Sequence, residues 1–114
     1  MPIKVTATMT RPSTAIKYFG EEFWSLPEVI SHVKTTYEDT QKLLSTSFED
    51  SADSLTHVWT EYWDSQTSVE EYWGDTFLNP KIADRNNYRT QNGIDMTYVI
   101  EQVDSAPLGV FYRP

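Results

Sequence analysis

The chain has 114 residues, no cysteine and a formal net charge of −8; these fit one acidic domain and exclude disulfides, thiolate nucleophiles and cysteine-based metal sites. The excess of acidic residues argues against binding to nucleic-acid phosphates or to anionic membrane surfaces. With 39% hydrophobic and 14% aromatic residues, the composition predicts a globular domain with a ring-rich core. No stretch has the apolar length of a signal peptide or a membrane span, so we expect a cytoplasmic protein.

The first predicted element is a half-buried strand from Ile3 to Met9, where apolar and polar residues alternate. Arg11-Pro12-Ser13 ends this strand. An aromatic-rich connection follows from Tyr18 to Trp24, and we interpret it as a loop that lies over the domain.

The next segment predicts an amphipathic helix. Ser25 is the expected N-cap, Pro27 falls in the first turn, and Glu28 takes the N3 position of a capping box. Apolar residues then recur at helical spacing, so we expect this helix to continue to about Thr40.

Two strands are predicted after that helix, from Lys42 to Glu49 and from Leu55 to Trp63, with a polar loop of hairpin size between them. Residues 64–68 then offer several capping side chains. Apolar residues at helical spacing follow, which predicts a helix that Gly74 interrupts.

A further helix and a last strand complete the pattern. Asn79-Pro80 has the residues of an N-cap and an N1 position, so we expect a helix from there to about Gln91, closed by Asn92-Gly93. Alternation from Ile94 to Glu101 predicts the fourth strand. The segment from Asp104 to Pro114 is an extended tail that we expect to contact a partner subunit.

The element order is β-α-β-β-α-β, which predicts an α+β, ferredoxin-like domain over residues 1–103: a four-stranded antiparallel sheet with its helices on one face. The opposite face should carry residues that are β-prone and uncharged: Thr6, Thr8, Thr10, Thr56, Val58, Thr60 and Thr97. Such a face is too β-prone and too uncharged to be fully solvated, so we expect a homodimer joined sheet to sheet.

The segment Glu61-Tyr62-Trp63-Asp64-Ser65 resembles a motif of the dimeric α+β barrel superfamily, in particular of antibiotic-biosynthesis-monooxygenase-like domains. In those domains a helix after the motif often carries a histidine nine residues beyond the tryptophan, and Tyr72 occupies that place here. The resemblance implies a pocket between the helices and the helix-facing side of the sheet. It also implies relatives that include cofactor-independent oxygenases, isomerases and proteins without an assigned activity.

The candidate site centres on the third strand and the helix after it, because three of the four tryptophans lie between Leu55 and Asp75. Read with a period of two, one face of the strand carries rings together with two ionisable groups, an unusual mixture for a plain core. The candidate catalytic residues are His57 and Tyr72. The candidate pocket residues are Trp59, Glu61, Trp63, Trp73, Phe23, Trp24, Met9 and Tyr98.

Each candidate also has an ordinary structural interpretation. His57 is either a general base or a histidine satisfied by a neighbour. It lies about 13 Å along the strand from Glu61, so each needs a different partner. Glu61 is either an acid/base or the partner of an arginine, for which Arg11, Arg85 and Arg89 are the candidates. Core packing explains each ring individually.

Three functions therefore stay open. The first is a domain that binds a small apolar or aromatic molecule without a metal or cofactor. The second is a cofactor-independent oxygenase or isomerase in which His57 or Tyr72 moves a proton. The third is a ligand-free module whose sheet face and tail serve only assembly.

Overall fold

The computed structural model describes residues 1–18 and 26–112. Its four strands are β1 (Ile3–Thr10), β2 (Leu43–Asp50), β3 (Thr56–Trp63) and β4 (Asp95–Gln102). They form one sheet in the order β2-β3-β1-β4, and all three neighbouring pairs are antiparallel. This arrangement confirms the ferredoxin-like, α+β fold.

The helices are α1 (Pro27–Val33), α2 (Gln66–Trp73) and α3 (Asn79–Gln91). The helix predicted to reach about Thr40 extends to Glu38, but only Pro27–Val33 is α-helical, and a π-helical turn follows over Lys34–Glu38. There the backbone N–H of Asp39 donates to the carbonyl of Lys34, five residues back rather than four. Tyr37, in this wider turn, is buried in the core.

The three helices differ in how they begin, and two of the starts depart from the sequence pattern. Ser65 caps α2 by accepting the backbone N–H of Ser68 at 3.2 Å. Ser25 lies outside the described residues, and the N-cap of α1 is Leu26, so Glu28 stands at N2 and the predicted capping box with Glu28 at N3 was wrong. Asn79 is the first helical residue of α3 rather than its N-cap, and Leu78 precedes it, because the backbone N–H of Asn79 already donates to the carbonyl of Asp75, four residues back.

The strand register places the predicted threonines on one face, which we call the outer face. Thr6 pairs with Thr60, and Thr8 pairs with both Val58 and Thr97. Residues directly opposite each other in a sheet point to the same side. The other side, which we call the inner face, carries the apolar residues of β1 and packs against the helices.

The core beneath the helices consists of two clusters of buried side chains. One cluster joins the start of β1 and the end of β3 to α1 and α2 through Ile3, Val5, Val29, Trp63, Tyr72 and other residues. The second gathers Ala7, Met9, Trp59 and Ile94. The seam between the two clusters crosses the inner face at Val5 and Ala7.

The tail after β4 returns to the opposite edge of the sheet. The N–H of Gly109 donates to the carbonyl of Leu44, and the N–H of Thr46 donates to the carbonyl of Val110. The hydroxyl of Thr46 also exchanges hydrogen bonds with the backbone of Tyr112. The tail therefore covers part of the β2 edge of its own chain. Over residues 1–18 and 26–112, no helix has the length and apolar character needed to cross a bilayer.

Candidate functional site

A cavity lies between the inner face and α3, at the seam between the two core clusters. Its volume is about 30 Å³, which is enough for a few polar atoms. Its walls come from three strands and two helices: Val5, Ala7, Met9, Trp59, Glu61, Tyr72, Trp73, Arg85, Arg89, Met96 and Tyr98. A more open cleft of about 330 Å³ adjoins it and is lined by Tyr72, Trp73, Ile82, Arg85, Asn86 and Tyr98.

The carboxylate of Glu61 lies in the wall of this cavity and is held by two indoles. Its Oε2 accepts the Nε1–H of Trp59 at 3.1 Å, and its Oε1 accepts the Nε1–H of Trp63 at 3.2 Å. Burial raises the pKa of Glu61, while the two indole hydrogen bonds and the charge of Arg85 act in the opposite direction. The sheet thus presents one fixed, desolvated carboxylate to the cavity.

Two arginines of α3 line the same cavity as the carboxylate of Glu61. Arg85 and Arg89 are four residues apart, so they lie on the same face of the helix. Arg89 is buried, donates from its Nη1 to the sulfur of Met96, and donates from its Nε to the carbonyl of Tyr18 at 3.4 Å. Burial and, to a smaller extent, the charge of Arg85 lower the pKa of Arg89 to about 10. The guanidinium of Arg89 therefore stays charged near neutral pH.

The passage between the cavity and the cleft is lined by rings and one charge. Tyr72, Trp73, Arg85 and Tyr98 contribute to both spaces. Tyr72 is buried, and burial raises the pKa of its hydroxyl, with the negative charge of Glu61 acting in the same direction. Trp73 and Tyr98 are 42% and 48% exposed. A molecule that enters from the cleft therefore meets two part-exposed rings before it reaches the charged interior.

The structure brings six of the sequence-predicted site residues to this cavity: Met9, Trp59, Glu61, Tyr72, Trp73 and Tyr98. Trp63 is not among the lining residues, because its ring is 1% exposed and packs in the core against Tyr37 and Tyr72. It contacts two lining residues, Tyr72 through its ring and Glu61 through its hydrogen bond. Phe23 and Trp24 lie outside the described residues.

His57 also does not line the cavity. Its Nδ1 is 2.6 Å from Oδ1 of Asp50, which is its cross-strand neighbour on β2. Its ring lies between those of Tyr18 and Phe48, with centroid distances of 5.1 and 5.3 Å. His57 thus has a partner from another strand, as the separation from Glu61 requires, and its contacts are those of a packed side chain.

Sequence reasoning considered Arg85 and Arg89 only as partners for Glu61, and it did not place them in the pocket. Their spacing of four residues was a usable signal, because it puts both on one face of α3. Arg11, the third candidate partner, lies elsewhere and donates to the carbonyls of Ser54 and Ile16. Pattern alone does not say which of three arginines meets one carboxylate across the fold.

Comparison with known proteins finds similarity in structure only. No known family profile matches the chain, and no curated protein matches it. A dimeric ferredoxin-like protein from an uncultured marine organism is similar over 92% of this chain and 97% of its own, with a TM-score of 0.58 and 10% identity.

Two further solved structures are similar. A candidate antibiotic biosynthesis monooxygenase from Deinococcus radiodurans has a TM-score of 0.57 and 12% identity, over 91% of this chain and 94% of its own. The Mycobacterium tuberculosis protein Rv0793 has a TM-score of 0.50 and 20% identity, over 93% and 99%. At these identities the likeness establishes the fold. It confirms the resemblance to the ferredoxin-like, antibiotic-biosynthesis-monooxygenase-like architecture, and this fold is compatible with binding a small molecule.

Proposed function

We propose that this domain binds a small molecule with an aromatic or apolar body in the cavity and cleft between the inner face and α3. The supporting observation is a mainly apolar cavity with a few charged side chains that continues into a ring-lined cleft, an arrangement typical of small-molecule sites. Trp73 and Tyr98 are large rings left part-exposed at the entrance. Stacking on a ligand would bury them, which is a favourable use of aromatic surface.

A cavity-filling substitution tests this proposal. Ala7 is buried and lines the cavity, so Ala7→Leu adds three carbon atoms where the ligand would lie. Ala83→Leu is the matched control, because Ala83 is exposed on α3. Native mass spectrometry reports any co-purified small molecule, and titration calorimetry with 2-naphthamide measures binding directly. We expect binding to be lost in Ala7→Leu and kept in Ala83→Leu.

Circular dichroism shows whether Ala7→Leu is folded, so that a loss of binding through unfolding is recognised. In that case Met96→Ala, which enlarges the same cavity, should retain the fold and alter the affinity. Equal binding by wild type, Ala7→Leu and Met96→Ala would place the ligand elsewhere and contradict the proposal.

The second part of the proposal is that two copies pair through their outer faces. Thr6, Thr60 and Val58 on this face are only half-buried in one chain, and Val99 is 55% exposed. The marine ferredoxin-like protein of the same fold is described as dimeric. A second copy of the same face covers these residues with two-fold symmetry.

Light scattering tests the dimer through a charge placed on the outer face. In a dimer of this kind, Thr60→Lys would place one long, positively charged side chain from each copy in the interface. We therefore expect this variant to be monomeric at micromolar concentration. Thr76→Lys, at an exposed position outside the sheet, should leave the mass of the particle unchanged. A wild type that is monomeric at this concentration would contradict the proposed dimer and favour another role for the face.

One observation favours an enzymatic function of the same site. Glu61 and Tyr72 line one cavity, and burial raises the pKa of each, which is common among groups that exchange protons with a substrate. If the site transfers protons, a co-purified molecule incubated with the protein in D2O should incorporate deuterium. This incorporation should be lost in Glu61→Gln or in Tyr72→Phe. Since His57 lies outside the cavity, His57→Gln should not change this exchange. Recovery of the molecule without deuterium from wild type would rule out exchange chemistry.

A further inference from the structure

We propose that the ligand of this cavity carries a neutral amide group, whose N–H donates to Glu61 while its carbonyl oxygen accepts the hydroxyl of Tyr72. This inference rests on the proposed function and narrows it to one chemical class, aromatic carboxamides and lactams. The aromatic body of such a ligand lies in the cleft beside Trp73 and Tyr98. Its basis is an acceptor, a donor and the size of the space beside them.

Glu61 supplies the acceptor. Its Oε2 accepts the indole N–H of Trp59, and its Oε1 accepts that of Trp63. A carboxylate oxygen has more than one lone pair, so each oxygen can accept a further hydrogen bond. Because Glu61 lines the cavity, a donor placed in that space can reach the carboxylate. The two indole N–H groups also favour the ionised form, since a protonated carboxyl group has to donate from one of its oxygens.

Tyr72 supplies the donor. The residue is 5% exposed, and its hydroxyl forms no hydrogen bond with any residue in the described ranges 1–18 and 26–112. The oxygen is nevertheless not sealed in the core, and Tyr72 lines both the cavity and the cleft. Buried polar groups in proteins are almost always hydrogen-bonded. A ligand acceptor in the cavity would satisfy this hydroxyl.

Trp63 fixes the acceptor and the donor relative to each other. Its indole N–H donates to Glu61, and its ring centroid lies 5.1 Å from that of Tyr72. Glu61 and Tyr72 therefore border the same space from the sheet and from α2. They are not hydrogen-bonded to each other, so a ligand group can lie between them, accepting from Tyr72 and donating to Glu61.

The volume of the cavity matches an amide. A space of about 30 Å³ holds about two water-sized groups, which correspond to the carbonyl oxygen and the nitrogen of an amide. These two atoms present an acceptor and a donor side by side, whereas a hydroxyl offers one oxygen for both roles. A neutral group also avoids the large desolvation cost of a charge. The cleft of about 330 Å³ then accommodates the aromatic body.

The test compares three ligands of similar shape by titration calorimetry at pH 7: 2-naphthamide, 2-acetonaphthone and 2-naphthol. The ketone keeps the carbonyl of the amide but has a methyl group in place of the N–H donors. We expect wild type to bind the amide about 10- to 100-fold more tightly than the ketone, as a hydrogen bond to a charged acceptor predicts. The naphthol should bind more weakly than the amide.

Two variants assign the two hydrogen bonds separately. Glu61→Gln should weaken binding of the amide and not of the ketone, so the preference for the amide should fall towards one. Tyr72→Phe removes the donor to the carbonyl that both ligands share, so both should weaken by about 3- to 10-fold and the preference should persist. Glu71→Gln and Tyr112→Phe are the matched controls, because both residues are exposed and neither lines the cavity. Both controls should bind as wild type does.

The outcomes separate this inference from the function on which it rests. Equal binding of amide and ketone by wild type, tighter binding of the naphthol, or an amide preference that survives Glu61→Gln overturns the amide ligand and leaves the small-molecule site standing. Binding of none of the three compounds by wild type overturns both. Circular dichroism reports whether Glu61→Gln is folded, and if it is not, the comparison of the three ligands on wild type decides.

Discussion

Asp75 connects α1 and its π-helical extension to the start of α3, and its replacement should cost much of the stability of the domain. Oδ2 of Asp75 contacts Nε2 of His32 at 2.7 Å and accepts the hydroxyl of Tyr37. Oδ1 accepts the backbone N–H groups of Phe77 at 2.9 Å and Leu78 at 3.1 Å. The carboxylate side chain is only 9% exposed, so these partners are not readily replaced by water.

The expected cost of Asp75→Ala follows from these contacts. Loss of a side chain that caps a helix start costs about 1 kcal/mol. The hydroxyl of Tyr37, a residue that is 1% exposed, would lose its acceptor, and an unsatisfied buried polar group costs about 1 to 3 kcal/mol. The sum is about 2 to 4 kcal/mol, a large share of the stability of a small domain.

Urea unfolding at pH 7, followed by tryptophan fluorescence, measures this loss. Asp84→Ala is the control, because Asp84 is exposed on α3 and its removal should change the free energy of unfolding by less than about 0.5 kcal/mol. Combining Tyr37→Phe with Asp75→Ala removes the hydroxyl that Asp75→Ala leaves without an acceptor. The double variant should therefore lose less unfolding free energy than the sum of the losses in the two single variants. A cost below about 1 kcal/mol for Asp75→Ala, or strict additivity, would refute this account.

The contribution of Asp75 should also depend on pH. Burial raises the pKa of its carboxyl, but hydrogen bonds from Tyr37, His32 and the N–H of Leu78 together outweigh burial, so the pKa lies below its ordinary value of 3.8. The unfolded chain therefore binds this proton more tightly than the folded protein does. The stability difference between wild type and Asp75→Ala should narrow as pH falls below about 4. A difference that widens as pH falls below about 4 would contradict the sign of the shift.

Three further changes have defined expectations. Trp63→Phe keeps a ring but removes the N–H that Glu61 accepts, so we expect a loss of about 1 to 3 kcal/mol in urea unfolding; a neutral effect would show that this bond adds little. Gly93 has a φ of +69°, so Gly93→Ala should cost about 1 to 2 kcal/mol by the same assay, and a stabilised variant would contradict this. Removing residues 109–114 exposes the β2 edge at Thr46, and light scattering should then detect faster aggregation on heating than in the intact chain.

Local chemistry made most of the fold predictable. Alternation along β1 and β3 already separates Ala7 and Met9 from Thr6 and Thr8, because successive strand residues point to opposite faces. Ser65 at the start of α2 and Gly93 after α3 mark helix ends through their own backbone and side-chain preferences. The π-helical turn at Lys34–Glu38 was not predictable in this way, since its apolar spacing also fits an ordinary helix.

The site was less predictable, because it depends on which elements meet in space. Trp59 and Trp63 share one face of β3, yet Trp59 lines the cavity and Trp63 packs in the core, since different helices lie over the two ends of the strand. His57 shares that face as well, but its neighbour Asp50 on β2 and the ring of Tyr18 occupy its surroundings.

The sequence by itself determined the element order, the two faces of the sheet and the stretch that carries the rings, because these follow from periodicity and capping within a few residues. Only the tertiary structure decided that Glu61 is held by two indoles and faced by Arg85 and Arg89. The carboxylate and the arginines lie more than twenty positions apart in the chain. Which distant charges face each other is set by how α3 packs on the inner face, and no local pattern encodes that packing.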